Sequence, residues 1–144
     1  MENFWDKRYA GADYLFGTQP AAGLIALEPH LVAGGKTLVV ADGEGRNSVY
    51  LASRGYDVRA TDYSQVAQEK AKALAREAGV DVEFVLSDIY DAGWSDEAYD
   101  DVVAIFIQFF PPERMGEIFT ALACATRAGG TLLIYGYTPE QVAL

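Results

Sequence analysis

The chain has 144 residues, of which 51% are hydrophobic, and it carries a formal net charge of −10. These values predict one folded domain, and the single cysteine, Cys124, excludes a disulfide framework and favours a reducing, cytoplasmic compartment. The excess of acidic residues disfavours nucleic acid as a partner, because its phosphates would be repelled, and neither a membrane span nor a signal peptide is evident.

The first 35 residues combine aromatic side chains with glycines and predict an irregular segment that covers an apolar surface. Pro20 is placed to open a helix over residues 21–31, since proline is favoured in the first turn of a helix. We expect residues 1–35 to form a lid and one helix, and residues 36–144 to form the core of the domain.

From residue 36 onward, apolar β-branched runs alternate with stretches of helical length. The pattern predicts strands over residues 36–41, 56–61, 82–86, 101–106 and 131–135, and helices over residues 45–53, 64–78 and 112–126. Ser64 is the expected N-cap of the second of these helices, and Gly79 lies just past its end. Because such alternation forms right-handed βαβ units, we predict a single α/β domain over residues 1–144, with a doubly wound, Rossmann-like and mostly parallel sheet.

Ligands of an open parallel sheet bind outside the carboxyl ends of its strands. After the first strand, Gly43 and Gly45 form a Gly-x-Gly turn that opens a helix, where backbone N–H groups favour negative charge. After the second strand, Asp62 lies about 19 residues beyond Gly43, a spacing at which a carboxylate accepts both hydroxyls of a ribose. Each feature alone is also typical of an ordinary turn or a helix cap, but together they indicate a nucleoside site.

Two further polar residues follow the next strands. Asp88, after the third strand, predicts an acceptor for an adenine amino group, the alternative being a solvated loop residue. Gln108, after the fourth, lies among phenylalanines that are more typical of a core, and its amide can orient a substrate without titrating. No Cys/His cluster has metal-ligand spacing, so we expect no metal and chemistry that comes mainly from a bound cofactor.

Taken together, these motifs resemble those of class I S-adenosylmethionine-dependent methyltransferases. Ser87-Asp88 after the third strand, Tyr99-Asp-Asp-Val-Val103 on the fourth and Arg127-Ala-Gly-Gly130 before the fifth add to the glycine turn and the ribose acid. Four segments are similar to the tellurite-resistance and thiopurine branch of small-molecule methyltransferases: Phe4-Trp-Asp-Lys-Arg-Tyr9, Tyr14-Leu-Phe-Gly-Thr-Gln-Pro20, Gly43-Glu-Gly-Arg-Asn47 and Gly136-Tyr-Thr-Pro-Glu-Gln141. The similarity extends through nearly the whole sequence.

The resemblance implies S-adenosylmethionine as cofactor and gives the site residues their roles. Gly43 and Gly45 would pass beneath the methionine part, and Asp62 would hold the ribose. The implied cofactor-binding residues are Arg8, Tyr14, Phe16, Asp42, Gly43, Gly45, Asn47, Asp62, Tyr63, Asp88, Ile89, Ile105 and Phe106.

Within that set, the resemblance distinguishes three groups. Tyr63, Asp88 and Ile89 would surround the adenine, whereas Ile105 and Phe106 would lie beside the sulfonium. Arg8, with Arg46 as the alternative, would pair with the cofactor carboxylate. Tyr14 and Phe16 would close over the site with the rest of the aromatic opening segment.

The glycine turn departs from the family pattern Asp-x-Gly-x-Gly-x-Gly. Val39 replaces the acid, Ala41 replaces the first glycine, and Asp42 stands at a position that is small or cysteine in the family. Ala41 adds only a methyl group, so we expect close approach of a ligand to be retained. Asp42 or Glu44 is the expected substitute for the missing acid.

The family sheet normally contains a sixth and a seventh strand, which this sequence does not include. We therefore expect five strands in the order 3-2-1-4-5, with an apolar strand over residues 131–135 at the edge. Because an unpaired apolar edge promotes association, we expect either a homodimer that covers this edge or a truncated chain.

The favoured hypothesis is methyl transfer to a small-molecule acceptor with a soft nucleophile, such as a thiolate or a chalcogen anion. Such acceptors need alignment more than acid–base help. One alternative is a non-catalytic cofactor-binding or dimeric interaction module. A nicotinamide-dependent oxidoreductase is less favoured, because Ser48 occupies its third glycine position.

Overall fold

A computed structural model describes residues 4–11, 13–90, 98–107 and 111–136, without the side chains of Phe4 and Trp5. Its centre is a five-stranded sheet in the order 3-2-1-4-5, and all four neighbouring pairs are parallel. The strands are β1 (Lys36–Val40), β2 (Asp57–Asp62), β3 (Glu83–Leu86), β4 (Tyr99–Ile105) and β5 (Thr126–Tyr135). The predicted fold class and strand order are confirmed.

The helices are α1 (Phe4–Tyr9), α2 (Ala22–Leu27), α3 (Arg46–Ser53), α4 (Gln65–Ala78) and α5 (Met115–Ala125). The caps predicted for α4 are confirmed, since the Ser64 hydroxyl accepts the N–H of Ala67 at 3.1 Å and Gly79 ends the helix at φ 70°. The helix predicted over residues 21–31 is too long. It ends at Leu27 and gives way to a single 3₁₀ turn around Pro29, because proline has no N–H to continue the α-helical ladder.

Two apolar clusters fill the faces of the sheet. On one face, Leu24 of α2 and Leu51 of α3 pack with Val39, Val58 and other strand residues. On the opposite face, α5 supplies the apolar side chains that cover Leu38, Val40 and the middle of β4. With helices on both faces, the carboxyl ends of the strands and the loops that follow them remain open to ligands.

Helix α1 was expected to be irregular, and the sequence prediction for this segment is wrong. Its six residues are too few for a stable isolated helix, so tertiary contact must hold it. Buried Asp6 provides that contact: its carboxylate accepts the Ser64 hydroxyl at 2.5 Å and the Val66 N–H at 3.4 Å. This places an acid at the N-terminus of α4, where the helix dipole stabilises negative charge.

Strand β5 begins five residues earlier than predicted, directly after α5. Between the pairs Tyr99–Thr126 and Asp101–Thr131 the register shifts, and Gly130 lies against the backbone of Asp100, where a side chain would clash. Arg127 forms an ion pair with Asp100 at this bulge. Within the described ranges, no helix is both long and apolar enough to cross a membrane.

Candidate cofactor site

A cavity of about 600 Å³ opens at the carboxyl ends of the parallel strands, where the sequence predicts ligand binding. Its volume lies within the ~300–1,000 Å³ of small-molecule sites. The turn after β1, the loops after β2 and β3, the end of β4 and the N-terminal segment all contribute to its wall. The lining residues are Tyr9, Phe16, Gly17, Ala41, Asp42, Gly43, Glu44, Arg46, Asn47, Thr61, Asp62, Tyr63, Ser87, Asp88, Ile89, Tyr90, Ile105 and Phe106.

The two central strands end in strained backbone at this cavity. Ala41, directly after β1, has φ 50°, and Phe106, directly after β4, has φ 54°. They are the non-glycine residues with positive φ in the described part of the chain, and such strain concentrates at functional sites. The Phe106 N–H donates to the Tyr135 carbonyl at 2.7 Å, so the end of β5 helps to hold this conformation.

The glycines of the turn are required by contacts within the protein. Gly45 has φ 94°, and a Cβ there would lie 2.7 Å from the Cβ of Ala71 on α4. At Gly43, with φ 65°, a Cβ would lie 3.0 Å from the hydroxyl of Tyr9. The turn therefore serves as the site where α1, α3 and α4 approach the end of β1, in addition to lining the cavity.

Asp42 is buried at the start of helix α3 and caps it. Its carboxylate accepts the Ser48 hydroxyl at 2.6 Å and the Ser48 N–H at 3.2 Å. Burial raises the pKa of Asp42 to about 7 against these hydrogen bonds, and the charge of Asp62 adds to the shift. Asn47 is also engaged internally, because its side-chain carbonyl accepts the Ala21 N–H at 2.9 Å.

Asp62 joins the loop after β2 to the glycine turn. One carboxylate oxygen accepts the Gly43 N–H and the other accepts the Ser64 N–H, both at 2.9 Å. Burial raises the pKa of Asp62, while these backbone hydrogen bonds oppose the shift. Since each carboxylate oxygen has two lone pairs, Asp62 retains acceptor capacity toward the cavity for a diol.

The loop after β3 holds its carboxylate in a local turn. Asp88 is half-buried, and its Oδ1 accepts the Tyr90 N–H at 2.9 Å. The guanidinium of Arg114 stacks on the Tyr90 ring, 3.5 Å from its centroid. Asp88, Ile89 and Tyr90 therefore present one polar and two apolar groups at the same side of the cavity.

Of the three site residues predicted in the N-terminal segment, Phe16 lines the cavity, whereas Arg8 and Tyr14 do not. Arg8 is exposed and Tyr14 donates its hydroxyl to the Lys70 carbonyl at 3.2 Å, and neither is among the cavity-lining residues. The alternative arginine, Arg46, does line the cavity, as does Phe16, whose ring centroid lies 5.8 Å from the Arg46 guanidinium.

Tyr9, like Gly17, Thr61 and Tyr90, lines the cavity although it is absent from the predicted site residues. It is 6% exposed, and burial, with the charge of Asp62 next, raises the pKa of its hydroxyl. The only available signal was its position three residues after Asp6, which places the two on one face of a helix once that helix is known to form. Gln108, the predicted substrate-orienting residue, lies outside the described residues.

The charges of the lining residues indicate which kind of nucleoside ligand the cavity can accept. Four lining residues are acidic, Asp42, Glu44, Asp62 and Asp88, whereas Arg46 is the basic one. Lys70 pairs with Glu44, and burial raises the pKa of Asp42 to about 7. The negative charge that faces a ligand is therefore chiefly that of Asp62 and Asp88, and it disfavours a pyrophosphate beside them. With a carboxylate placed for a diol and a second one beside apolar residues, the lining fits a cationic adenosine derivative.

Comparison with known proteins identifies the family. The family model described as "Methyltransferase domain" matches residues 38–130, which includes the glycine turn, Asp62 and Asp88. A probable S-adenosyl-L-methionine-dependent methyltransferase, TehB of Haemophilus influenzae, is 27% identical over 134 residues, covering 92% of this chain and 44% of its own length. Hemagglutinin 1 of Eikenella corrodens is 36% identical over 107 residues, covering 72% of this chain and 34% of its own length.

Among solved structures, one is described as "Conversion of a Disulfide Bond into a Thioacetal Group during Echinomycin Biosynthesis". It superposes with a TM-score of 0.78 at 28% identity, covering 93% of this chain and 60% of that chain. The chain thus spans between about a third and three fifths of the lengths of these proteins.

Proposed function

Because the chain belongs to the class I S-adenosylmethionine-dependent methyltransferases, we propose that it transfers a methyl group to a small acceptor whose reacting atom is a soft nucleophile, a thiolate or another chalcogen anion. The observation that carries this proposal is the acid-lined cavity at the carboxyl ends of the strands, with Asp62 facing it from β2. S-adenosylmethionine is the cofactor of this family, and when bound it supplies an electrophilic methyl group on a sulfonium.

The residues of this chain would bind and orient the cofactor. Asp62 would accept the ribose hydroxyls, and Asp88 with Ile89 would receive the adenine. Tyr63, which is 54% exposed, would cover the adenine from the solvent side. Ile105 and Phe106 would form an apolar wall at the end of β4, which excludes water from the place where the acceptor reacts.

The choice of a soft nucleophile follows from what the cavity offers for proton transfer. Among the described lining residues, none is histidine, cysteine or lysine. The carboxylates of Asp42 and Asp62 are already bound to protein N–H or hydroxyl groups. An acceptor that is anionic before it binds needs no base, and alignment with the donor is then the main contribution of the protein.

One comparison supports the same acceptor class. The solved structure at 28% identity is described by a reaction at sulfur, the conversion of a disulfide bond into a thioacetal group. Cys124 is a free, exposed thiol. Because thiols stay reduced in the cytoplasm, the proposal includes a cytoplasmic location.

The test is methyl transfer from isotopically labelled S-adenosylmethionine to a panel of small thiols, selenide and primary amines, followed by mass spectrometry. We expect labelled thioethers and methylated selenide, and little labelled amine. Preference for amines would contradict the acceptor class. Cofactor binding without transfer to any acceptor would instead indicate the non-catalytic binding module.

For the assembly, we propose a homodimer through β5. No strand flanks the outer edge of β5 among the described residues, and Ile134 of this strand is 42% exposed. Light scattering should give twice the chain mass, and Ile134→Lys should give the single mass. A monomeric wild-type chain would contradict this part of the proposal.

A further inference from the structure

Glu44, the residue between the two glycines of the turn, has a use that the cofactor does not explain. Its side chain is 3% exposed, and both carboxylate oxygens are engaged by the protein. Oε1 accepts the Leu15 N–H at 2.6 Å, and Oε2 accepts the Lys70 ammonium at 2.7 Å. A charge that is buried so deeply is tolerated only with such partners.

Lys70, on α4, extends the same contacts along the N-terminal segment. Its side chain is 16% exposed, and its ammonium also donates to the Asp13 carbonyl at 2.8 Å and lies 5.9 Å from the Tyr14 ring centroid. The Tyr14 hydroxyl in turn donates to the Lys70 carbonyl at 3.2 Å. Glu44 and Lys70 therefore form a buried ion pair that hydrogen-bonds to residues 13–15, and we call this pair the latch.

The latch positions part of the cavity wall. Phe16 and Gly17 follow directly and line the cavity, and the Gly17 N–H donates to the Tyr14 carbonyl at 3.2 Å, so the latched residues and the lining residues share one turn. Leu15 and Phe16 are 40% and 52% exposed, so apolar burial holds this segment only in part. Its placement depends on the polar contacts of the latch.

We propose that Glu44 and Lys70 are positioning residues that hold segment 13–17 as a wall of the cavity and thereby slow the release of the bound cofactor. The identity of that cofactor rests on the proposed function. Glu44 belongs to the glycine turn and Lys70 to α4. The position of the N-terminal segment therefore depends on the same turn that would bind the cofactor.

The latch is tested with Glu44→Gln, Lys70→Met and the double variant, which removes both buried charges together. Matched controls are Glu69→Gln and Lys72→Met, an exposed ion pair at 3.4 Å on the same helix. The first readout is amide hydrogen exchange at Leu15 and Gly17 without any ligand. The second is the dissociation rate of S-adenosylhomocysteine by stopped-flow displacement, well below the melting temperature.

We expect the latch variants to exchange about ten-fold faster at Leu15 and Gly17, because the segment opens more often without the buried ion pair. They should also release S-adenosylhomocysteine about ten-fold faster, because an open wall no longer retains the ligand and such changes mainly alter the dissociation rate. The exposed control pair should change both by less than about two-fold. Glu44→Gln keeps a carbonyl acceptor for the Leu15 N–H. If Lys70→Met fails to fold, Glu44→Gln is therefore the variant that is expected to remain folded.

Unchanged exchange at Leu15 and Gly17 would overturn the latch. If the latch variants have a lower melting temperature but an unchanged dissociation rate, the pair has only a structural role, and this result would also overturn the proposal. Failure of the wild-type chain to bind S-adenosylhomocysteine would contradict the proposed function and the effect on release, whereas the exchange measurement would still decide whether the pair holds the segment.

Discussion

The ends of β1 and β2 both carry acidic residues into the same cavity, yet these residues are used in different ways. After β1, Asp42 caps α3 through Ser48, and Glu44 binds Lys70 and the Leu15 N–H. After β2, Asp62 accepts the backbone N–H groups of Gly43, Tyr63 and Ser64, but unlike buried Asp42 it is partly exposed and keeps a lone pair for a ligand. An acid in a cofactor cavity therefore indicates cofactor binding only when its carboxylate is open to the cavity and keeps an acceptor position there.

The largest effect is expected where the acid is available to the ligand. Asp62→Asn should weaken S-adenosylmethionine binding about 100-fold or more, since hydrogen bonds to a charged acceptor contribute about 1.5–3 kcal/mol each. Equilibrium dialysis with labelled cofactor measures the change. Asp57→Asn, an exposed acid at the opposite end of β2, is the control and should bind like the wild type; equal affinities for the two variants would contradict the role of Asp62.

Substitution of the capping acid should act on stability instead. Asp42→Ala leaves the buried N–H of Ser48 without its acceptor and its hydroxyl with only the Gly45 carbonyl at 3.4 Å, and we expect a loss of about 2 kcal/mol in the free energy of unfolding. Urea denaturation in mildly acidic buffer, where Asp42 is protonated, measures it. A loss no larger than that of Asp57→Ala would show that the cap contributes little.

The titration of Asp42 sharpens the same contrast. Its pKa is raised to about 7 in the folded protein, whereas an unfolded aspartate titrates near 3.9. The folded state thus binds the proton more tightly, and this group lowers stability as pH rises, by up to about 1.4 kcal/mol per pH unit. Asp42→Asn keeps an acceptor for Ser48 without titrating, so its unfolding free energy should fall less steeply than that of the wild type between about pH 5 and pH 7. Parallel curves would contradict the shift.

The smallest effect is expected at Ala41, where the family has glycine. Because Ala41 has φ 50°, Ala41→Gly relieves strain of about 1 kcal/mol, partly offset by the greater entropy of glycine in the unfolded chain. We expect a gain of about 0.5 kcal/mol by thermal denaturation. Ala123→Gly, at an exposed helical position, should instead lose about 1 kcal/mol; a similar loss at Ala41 would contradict the strain.

Local sequence patterns were sufficient for the sheet and for α4. Apolar runs located all five strands, and Ser64 with Gly79 located both ends of α4, because these signals act within a few residues of where they occur. Helix α1 was missed because its stability comes from the hydrogen bond between the Asp6 carboxylate and the hydroxyl of Ser64, which is distant in the sequence. The early start of β5 was missed because Gly129 and Gly130 are typical of a loop, and here they allow a bulge against Asp100.

The site was predictable to a similar extent. Spacing placed Gly43, Asp62 and Asp88 at one end of the sheet, and all three line the cavity. It did not reveal that Asp42 and Glu44 would be bound within the protein, since the partners Ser48, Lys70 and Leu15 come from three different parts of the fold. Tyr9 was missed for the same reason as the helix that carries it.

The cavity is, on this account, an S-adenosylmethionine site whose carboxylates, Asp62 and Asp88 above all, exclude a ligand with a pyrophosphate. Isothermal titration of S-adenosylhomocysteine into the 144-residue chain, beside an equal titration of a nicotinamide dinucleotide, tests it most directly. We expect one site per chain with micromolar affinity for the former and no measurable heat from the dinucleotide, whose pyrophosphate the acids would repel. No binding of S-adenosylhomocysteine by the folded chain, or equal binding of both ligands, would contradict it.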